Sequence, residues 1–376
     1  MKNKIIVILC AAFTIQSYAQ LNTITTTVPF LNIAPDARAA GMGDAGVSST
    51  PDANSLHWNP AKYAFIENNM GLSTSYAPWF SVFVSDIKLG HLSAYRRIND
   101  KNTLAMSFLY CFSDHITFTD VIGNTIGQFR PKEFATDIAY SRKLSENFSM
   151  GFALRYIYSN LTGGVYIGGA KSQPGQSIAT DISAYYQKET GKGNFAFGIN
   201  ISNIGTKISY TESIENDFIP INMRLGPSYK IKFNEHNTLE LMIDINKLLV
   251  PTPPEYNSAG QIIAGKDPNR SVIDGMIGSF SDAPGGFKEE MHEIMYSFGM
   301  EYWHDNMIAI RAGYFYEHPT KGNQEYFSVG LGARNKPLSL DVAYLIPLDQ
   351  NSRLQNAVRL TLMCNLDSFK KKQKSS

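Results

Sequence analysis

Histidine is the residue type in this sequence best suited to acid–base or metal chemistry near neutral pH. The sequence shows no Ser/His/acid set and no paired-carboxylate spacing, and His292-Glu293 lacks the second histidine of a His-Glu-x-x-His zinc motif. The remaining histidines after residue 20 fall mostly in turns or loops, and they are His57, His91, His115, His236, His304 and His318. The sequence therefore predicts no enzyme, no metal site and no cofactor.

A glycine-rich run near the N-terminus could suggest phosphate binding. It reads Ala39-Ala40-Gly41-Met42-Gly43-Asp44-Ala45-Gly46, and Trp58-Asn59-Pro60-Ala61 follows it. The run lacks the Gly-Lys-Ser/Thr ending of a phosphate-binding loop and no strand precedes it, so a nucleotide site is discounted. Because residues 20–69 lack a strand pattern, we expect them to form a compact segment in the periplasmic opening or the interior of the domain that follows.

The first residues determine the cellular compartment. Two lysines precede an apolar run and a small-residue site that ends at Ala19, which predicts a secretory signal peptide over residues 1–19. Cys10 does not follow a small residue, which disfavours a lipid anchor. The other cysteines, Cys111 and Cys364, are too few for a disulfide framework and are expected to pack as small apolar side chains.

Composition excludes two further classes of protein. The formal net charge of +1 gives no overall field that would attract nucleic acid, so nucleic acid is not an expected partner. A helical membrane protein needs runs of about 20 apolar residues. Beyond the N-terminus every apolar stretch is broken within a few positions by Gly, Ser, Asn or a charge, so membrane-spanning helices are not expected.

From about residue 70 to 366 the main signal is alternation with a period of two residues. In residues 104–112, for example, large apolar side chains alternate with Ala105, Ser107, Leu109 and Cys111. Such a pattern predicts strands with two different faces. Fourteen segments show it: residues 70–76, 88–97, 103–113, 133–143, 148–159, 178–188, 194–203, 221–233, 238–247, 293–303, 307–317, 325–334, 338–346 and 356–365.

The connections between these segments alternate between tight polar turns and connections of widely varying length. This sorting is typical of outer-membrane barrels, which have short periplasmic turns and longer outside loops, and a soluble β-sandwich has no reason to show it. The sequence therefore predicts an all-β protein, a transmembrane antiparallel barrel of about 14 strands over residues 70–366. The parity of the connections predicts that both chain ends, including a tail at residues 367–376, lie in the periplasm.

A sheet that spans a membrane must close on itself, because hydrocarbon offers no water to an open edge. If the apolar face meets outer-membrane lipid, eleven charged residues of the opposite parity face the lumen. We expect a salt-bridge lattice there rather than an ion path, which one sign of charge would line more naturally. Pro227 interrupts a strand and predicts a kink or bulge. The lumen-facing set is Asp137, Arg155, Asp181, Arg224, Glu240, Asp244, Glu301, Arg311, Arg334, Asp341 and Arg359.

The connection from about residue 248 to 292 is too long for a simple hairpin, and such loops are usually functional or disordered. Its apolar content is unusual for a solvated loop, so we expect it to dock on a protein partner, the alternative being that it folds back over its own barrel. The candidate contact residues are Pro251, Pro253, Pro254, Tyr256, Ile262, Ile263, Met276, Ile277, Phe280 and Phe287.

The glycine-rich run and the Trp-Asn-Pro-Ala sequence together resemble the N-terminal plug of FadL-like outer-membrane proteins, which are fourteen-stranded barrels that carry hydrophobic compounds. The plug motif consists of Gly41, Gly43, Asp44, Gly46, Trp58, Asn59 and Pro60. More specifically, the chain resembles the PorV family of the type IX secretion system of Bacteroidetes, and residues 244–254, Asp-Ile-Asn-Lys-Leu-Leu-Val-Pro-Thr-Pro-Pro, are the most specific stretch.

The resemblance implies a binding role without chemistry. Proteins of the PorV family associate with an SprA-like translocon barrel, receive secreted cargo through its C-terminal signal domain, and deliver it to an attachment complex of the PorU type. The alternative is a FadL-like transporter of hydrophobic small molecules. A transporter needs a continuous apolar pocket, whereas the inward-facing residues here are mostly small or charged, which favours the secretion role.

Overall fold

The computed structural model describes residues 22–79, 87–119, 122–167, 170–211, 216–348 and 357–367. The predicted signal peptide at residues 1–19 lies outside this part of the chain, as does nearly all of the predicted tail at residues 367–376. No described helix is long and apolar enough to span a membrane. Between residue 22, where the described part begins, and the first strand, the helical elements are short turns: Pro29–Asn32, Ala37–Ala40, Ser55–Trp58 and Pro60–Phe65.

Fourteen antiparallel strands form one closed barrel, and three small hairpins, β4-β5, β8-β9 and β14-β15, lie in its long connections. The described strands are β1 Met70–Trp79, β2 Ile87–Arg97, β3 Asn102–Phe112, β4 Ile116–Thr119, β5 Thr125–Phe129, β6 Lys132–Lys143, β7 Phe148–Asn160, β8 Tyr166–Ile167, β9 Ala170–Lys171, β10 Gly175–Thr190, β11 Gly193–Gly205, β12 Asn222–Lys232, β13 Asn237–Leu248, β14 Glu255–Tyr256, β15 Ile262–Ala264, β16 Ile294–His304, β17 Ile308–Tyr316, β18 Glu325–Asn335, β19 Leu338–Pro347 and β20 Val358–Asn365. The predicted all-β barrel of about 14 strands is confirmed.

The barrel closes where its first strand pairs with its last. β1 pairs with β2 on one side and with β20 on the other, where Leu72 lies opposite Cys364 and Thr74 opposite Leu362. Every barrel strand thus has two neighbours, which lets its backbone N–H and C=O groups pair within the sheet rather than with water, as a membrane requires.

The predicted alternation is visible in the exposure of side chains along each strand. On β3, Ala105 and Leu109 are buried whereas Met106 is 61% exposed, and on β6 Ile138 is 64% exposed. Large apolar side chains therefore cover the outside of the wall. Of the eleven charged residues expected inside, all but Arg334 are buried; Arg334 stacks at 4.4 Å over the ring of Trp303 near the end of its strand.

Of the kink or bulge expected at Pro227, the bulge is wrong. The ladder between β12 and β13 lacks the pairs of Gly226 and Pro227, but Leu225 pairs with Ile245 and Ser228 with Met242 in the same register. Proline lacks an N–H and cannot donate to the ladder. The sheet therefore loses two pairs locally without gaining a residue.

The sequence predicts that both chain ends lie in the periplasm. The ends themselves fall outside the described residues, and the first and last described parts of the chain lie at opposite ends of the barrel. β20 ends at the short-turn end, beside Met70, which accepts a hydrogen bond from Leu366 at 3.1 Å. Asn22, the first described residue, lies at the opposite end, where its amide donates to the carbonyl of Pro253 at 2.7 Å. The even number of strands fixes the end of the barrel at which β1 starts. It does not fix the position of residue 22, because residues 22–69 run through the barrel before β1 begins.

Replacing Ile138 with arginine tests which face of the wall meets lipid. Ile138→Arg places a charge in mid-strand, and we expect the free energy of unfolding to fall by about 2–4 kcal/mol, because the charge leaves water for hydrocarbon. The measurement is a guanidinium titration of the barrel folded into phospholipid vesicles. The control Leu144→Arg, just beyond β6 at the short-turn end, should cost about 0–1 kcal/mol; equal costs at the two positions would contradict the assignment.

Candidate functional site: the barrel interior and its mouth

The N-terminal segment runs through the barrel from its mouth, which we define as the end with the long connections, to the short-turn end. It contacts the wall along its whole length. Three hydrogen bonds mark the path: the Thr27 N–H to the carbonyl of Phe218 (3.0 Å), the Gly46 N–H to the carboxylate of Asp244 (2.7 Å), and the Thr103 hydroxyl to the carbonyl of Tyr63 (3.1 Å). The residues expected to form a compact segment in the periplasmic opening or the interior thus lie among the inward-facing side chains.

The plug motif holds this segment together through buried hydrogen bonds. The carboxylate of Asp36 accepts from the N–H of Ala39 at 2.9 Å, which caps a helical turn, and from the indole N–H of Trp58 at 2.6 Å. The amide of Asn59 donates to the carbonyl of Val47 and to a carbonyl of β10, both at 3.0 Å. Trp58 and Asn59 therefore join distant parts of the segment to each other and to the wall.

Two glycines of the motif are required by close packing. Gly43 has a φ of +67°, and a Cβ on Gly313 of the wall would lie 2.0 Å from the Gly43 nitrogen. A Cβ on Gly46 would lie 2.6 Å from the ring of Trp58. Side chains at these positions would push the segment away from the wall.

The remaining motif residues also contact the wall. The carboxylate of Asp44 accepts from the hydroxyl of Tyr326 at 2.7 Å and lies 3.6 Å from the guanidinium of Arg359. Gly41 packs against the backbone of β18, and Pro60 packs against β7. The structure thus brings the whole plug motif to one interface between the segment and the strands.

A buried ion network centres on Arg38 of the N-terminal segment. Its guanidinium lies 2.7 Å from Glu301 and 2.8 Å from Asp52, with Glu240 at 3.7 Å. Arg311 contacts the second oxygen of Glu301 at 2.7 Å. Glu301 and Glu240 are direct cross-strand partners, so without Arg38 two like charges would face each other.

A second network lies on the opposite part of the wall. Arg155 contacts Asp137 at 2.5 Å and Asp181 at 3.3 Å, and it also bonds to the side chain of Asn203. All of these side chains are buried. Paired charges of both signs, bound to a segment that fills the interior, match the expected salt-bridge lattice rather than an ion path.

Sequence reasoning missed the charged residues that the segment contributes, namely Arg38, Asp52 and Lys62. Lys62 is buried and donates to the carbonyl of Gly46 and the hydroxyl of Ser49, both at 2.9 Å. One signal could have pointed to the cations among them. The predicted lumen-facing set holds six carboxylates against five guanidiniums, so at least one further cation was required to balance the charge.

At the mouth a cluster of buried charges joins three parts of the chain. Lys321, between β17 and β18, lies 2.6 Å from Glu289 and 3.0 Å from Glu293, and it donates to the carbonyl of Asn22 at 3.1 Å. Lys247 at the end of β13 lies 2.6 Å from the other oxygen of Glu293. The end of the long connection is thus held against the wall and the N-terminal segment.

The structure divides the ten candidate contact residues of the long connection into two groups. Pro251, Pro254 and Met276 lie at its base, with Pro253 half-buried beside them. The base packs on the mouth, where Met276 contacts an apolar cluster that includes Leu249 and Val250. The other six are exposed at the surface of the connection and are Tyr256, Ile262, Ile263, Ile277, Phe280 and Phe287.

The base of the connection therefore folds back over the barrel, as the alternative expected. The rest of the connection is exposed, as a docking surface must be. Ile273 and Met291 are exposed apolar residues of the same surface that sequence reasoning missed. Both lie in or beside short helices, Val272–Gly278 and Phe287–His292, whose presence the sequence pattern did not reveal.

A histidine pair lies at the edge of this connection. The rings of His292 and His318 stack with centroids 3.6 Å apart, and partial burial together with the charges of His292, Lys321 and Lys288 lowers the pKa of His318 below its usual 6.5. The described residues include no group of three or more His, Cys, Asp or Glu side chains that could hold a metal ion.

The profile of the PorV family, described as type IX secretion system protein PorV, matches residues 16–255, which is more than half of the sequence. This chain belongs to the PorV family. It is therefore an outer-membrane component of the type IX secretion system. No curated protein sequence matches the chain.

Solved structures confirm the FadL-like fold of this PorV-family chain. The toluene transporter TodX of Pseudomonas putida matches with a TM-score of 0.54 and 11% identity over 92% of this chain and 99% of its own. The monoaromatic hydrocarbon channel CymD matches with a TM-score of 0.53 and 12% identity over 91% and 99%. The toluene transporter TbuX of Ralstonia pickettii gives 0.50 and 10% over 87% and 97%. At these identities the likeness concerns the fold.

Removing the charge of Arg38 should destabilise the filled barrel. Arg38→Met leaves the buried Glu301 and Glu240 and the partly buried Asp52 with one cation fewer, and we expect the free energy of unfolding to fall by about 3–5 kcal/mol. Denaturant titration in vesicles measures it. Arg97→Met is the matched control, because its partner Asp100 is fully exposed and the pair contributes about 0–1 kcal/mol. A cost at Arg38 as small as at Arg97 would show that the network is not stabilising.

Adding one methyl group to the wall should displace the N-terminal segment. Gly313→Ala places its Cβ against the backbone of Gly43, so we expect faster protease cleavage of residues 37–65 and a lower melting temperature. In the control variant Gly90→Ala, the nearest atom lies 4.0 Å from the new Cβ. Its cleavage should therefore be no faster and its melting temperature no lower than those of the unmodified protein. Identical cleavage rates for the two variants would contradict the close approach of segment and wall.

Proposed function

We propose that this chain is a binding protein that docks on an SprA-like translocon barrel, receives secreted proteins through their C-terminal signal domains, and passes them to a PorU-type attachment complex. The observation that carries the proposal is the exposed apolar surface of the long connection, where Ile263, Ile277 and Phe287 are 63%, 71% and 80% exposed. Contiguous apolar surface outside the membrane marks a contact site for another protein.

The base of the connection supports this role. Lys247 and Lys321 pair with Glu289, Glu290 and Glu293 beneath the surface, so the exposed side chains are presented on a fixed support. A preorganised surface loses less conformational entropy when a partner binds. The membership of the PorV family supports a partner within the type IX system.

In this proposal the mouth faces the outside of the cell and the short turns face the periplasm, as in other outer-membrane barrels. The end of β20 then lies on the periplasmic side, whereas Asn22 lies on the outer side. The chain performs no chemistry: it binds and releases proteins, with no cofactor.

A second candidate, transport of hydrophobic small molecules, is favoured by the fold shared with toluene transporters. The interior argues against it. The cavity next to the N-terminal segment is small and is lined partly by His57, His91, Asp137 and Arg155, which makes it a poor path for hydrocarbon. In a deletion strain, a transporter predicts poor growth on hydrophobic nutrients, whereas a secretion component predicts retained secreted proteins.

Making the exposed surface of the connection polar tests the docking role. We expect the triple variant Ile263→Ser, Ile277→Ser, Phe287→Ser to lower co-purification with the translocon at least about tenfold, since several hot-spot side chains are lost. The control Tyr166→Ser alters an exposed ring in another long connection and should bind normally. Detergent pull-down measures binding, and retained cargo is scored in the same strains. Undiminished co-purification and normal cargo release by the triple variant would remove the hypothesis.

A further inference from the structure

An apolar groove with a volume of about 590 Å³ crosses the outer wall of the barrel. Its large apolar side chains lie on the outward face of their strands, where Leu241, Phe298, Met300 and Phe327 are between 40% and 49% exposed. Lining side chains come from six neighbouring strands, β11, β12, β13, β16, β17 and β18. The groove thus belongs to the surface that meets the membrane, not to the lumen.

Two local features make the wall concave here. Ala312, at the floor, pairs with Met300 on one side and Val329 on the other, so a methyl group lies between larger side chains. Next to it, the Gly299 and Gly313 positions contribute only backbone. At the far side, Pro227 lines the groove where the β12-β13 ladder is interrupted.

The groove runs obliquely between the two ends of the barrel. Phe195 is close to the start of β11, at the short-turn end, whereas Phe327 is close to the start of β18, at the mouth. Five strand spacings of about 4.8 Å separate their strands, so the groove extends about 24 Å across the strands of the wall.

We propose that the groove binds a lipid acyl chain. The outward parity of its lining places it in the hydrocarbon layer, where acyl chains are the surrounding phase. Its lining is nearly all hydrocarbon, so it offers dispersion contacts along a linear chain and almost no hydrogen bonds to a protein backbone. A chain lying in the groove contacts lining residues from several neighbouring strands.

Filling the floor of the groove tests the proposal. The protein is purified in detergent supplemented with palmitoyl-oleoyl phosphatidylethanolamine, and native mass spectrometry counts the lipids retained per barrel. We expect Ala312→Phe to reduce retention about fivefold, because the ring occupies the space and removes apolar contact area. The control Ile138→Phe adds a ring at an outward position on β6, away from the groove, and should retain lipid like the unmodified protein.

Heat-dependent migration in gels shows that each variant is folded, so loss of lipid is not loss of the barrel. Equal retention by Ala312→Phe and the unmodified protein would overturn the proposal, and so would an equal loss in both variants, which would indicate unspecific annular lipid. If Ala312→Phe keeps its lipid but loses the translocon, the groove is a protein interface and the proposal is wrong. Because binding through the long connection is measured separately, failure here leaves the docking role unaffected.

Discussion

A closed barrel of fourteen strands is too wide for its own inward side chains to fill, since about eight strands are the limit for a side-chain-packed interior. The wall also points buried carboxylates and guanidiniums inward, and each must find a partner because an unpaired buried charge is strongly destabilising. The N-terminal segment meets both requirements. Its backbone occupies the interior, and Arg38 lies between Glu301 and Asp52. The rest of the structure depends on this match of segment and wall.

The same match explains how the mouth is organised. Because the segment starts at the mouth, Asn22 reaches Lys321 and Glu289, and Val28 packs into the apolar cluster that also holds Leu249 and Val250. The base of the long connection therefore rests on a filled interior. Its exposed residues lie on a support formed by the N-terminal segment, the connections that precede β12 and β18, and the end of β13.

Solved hydrocarbon channels share the fold of this chain, so the barrel alone does not specify a role. In this chain the wall is bound to its N-terminal segment by paired charges. A barrel is a scaffold whose role depends on what fills it and on what its connections present. In this chain, both features favour protein binding at the mouth over passage of small molecules.

The sequence by itself determined the strands, their number and their inward and outward faces. Each of these is a local property: a period of two residues and polar turn residues specify a two-faced strand wherever the chain lies. Boundaries differed by a few residues, as at β10, which begins at Gly175 rather than residue 178. The glycine-rich motif was recognisable, but its contacts were not.

Only the tertiary structure decided which charges pair, where the segment runs and which loop residues are exposed. Arg38 and Glu301 are 263 positions apart, and no spacing rule links residues across a closed barrel. The same holds for Asn22 at the mouth and for Met276, which is apolar like Ile277 but faces the cluster at the base. Pairing across the lumen depends on where the folded wall places its side chains, and that geometry exists only once the last strand has joined the first.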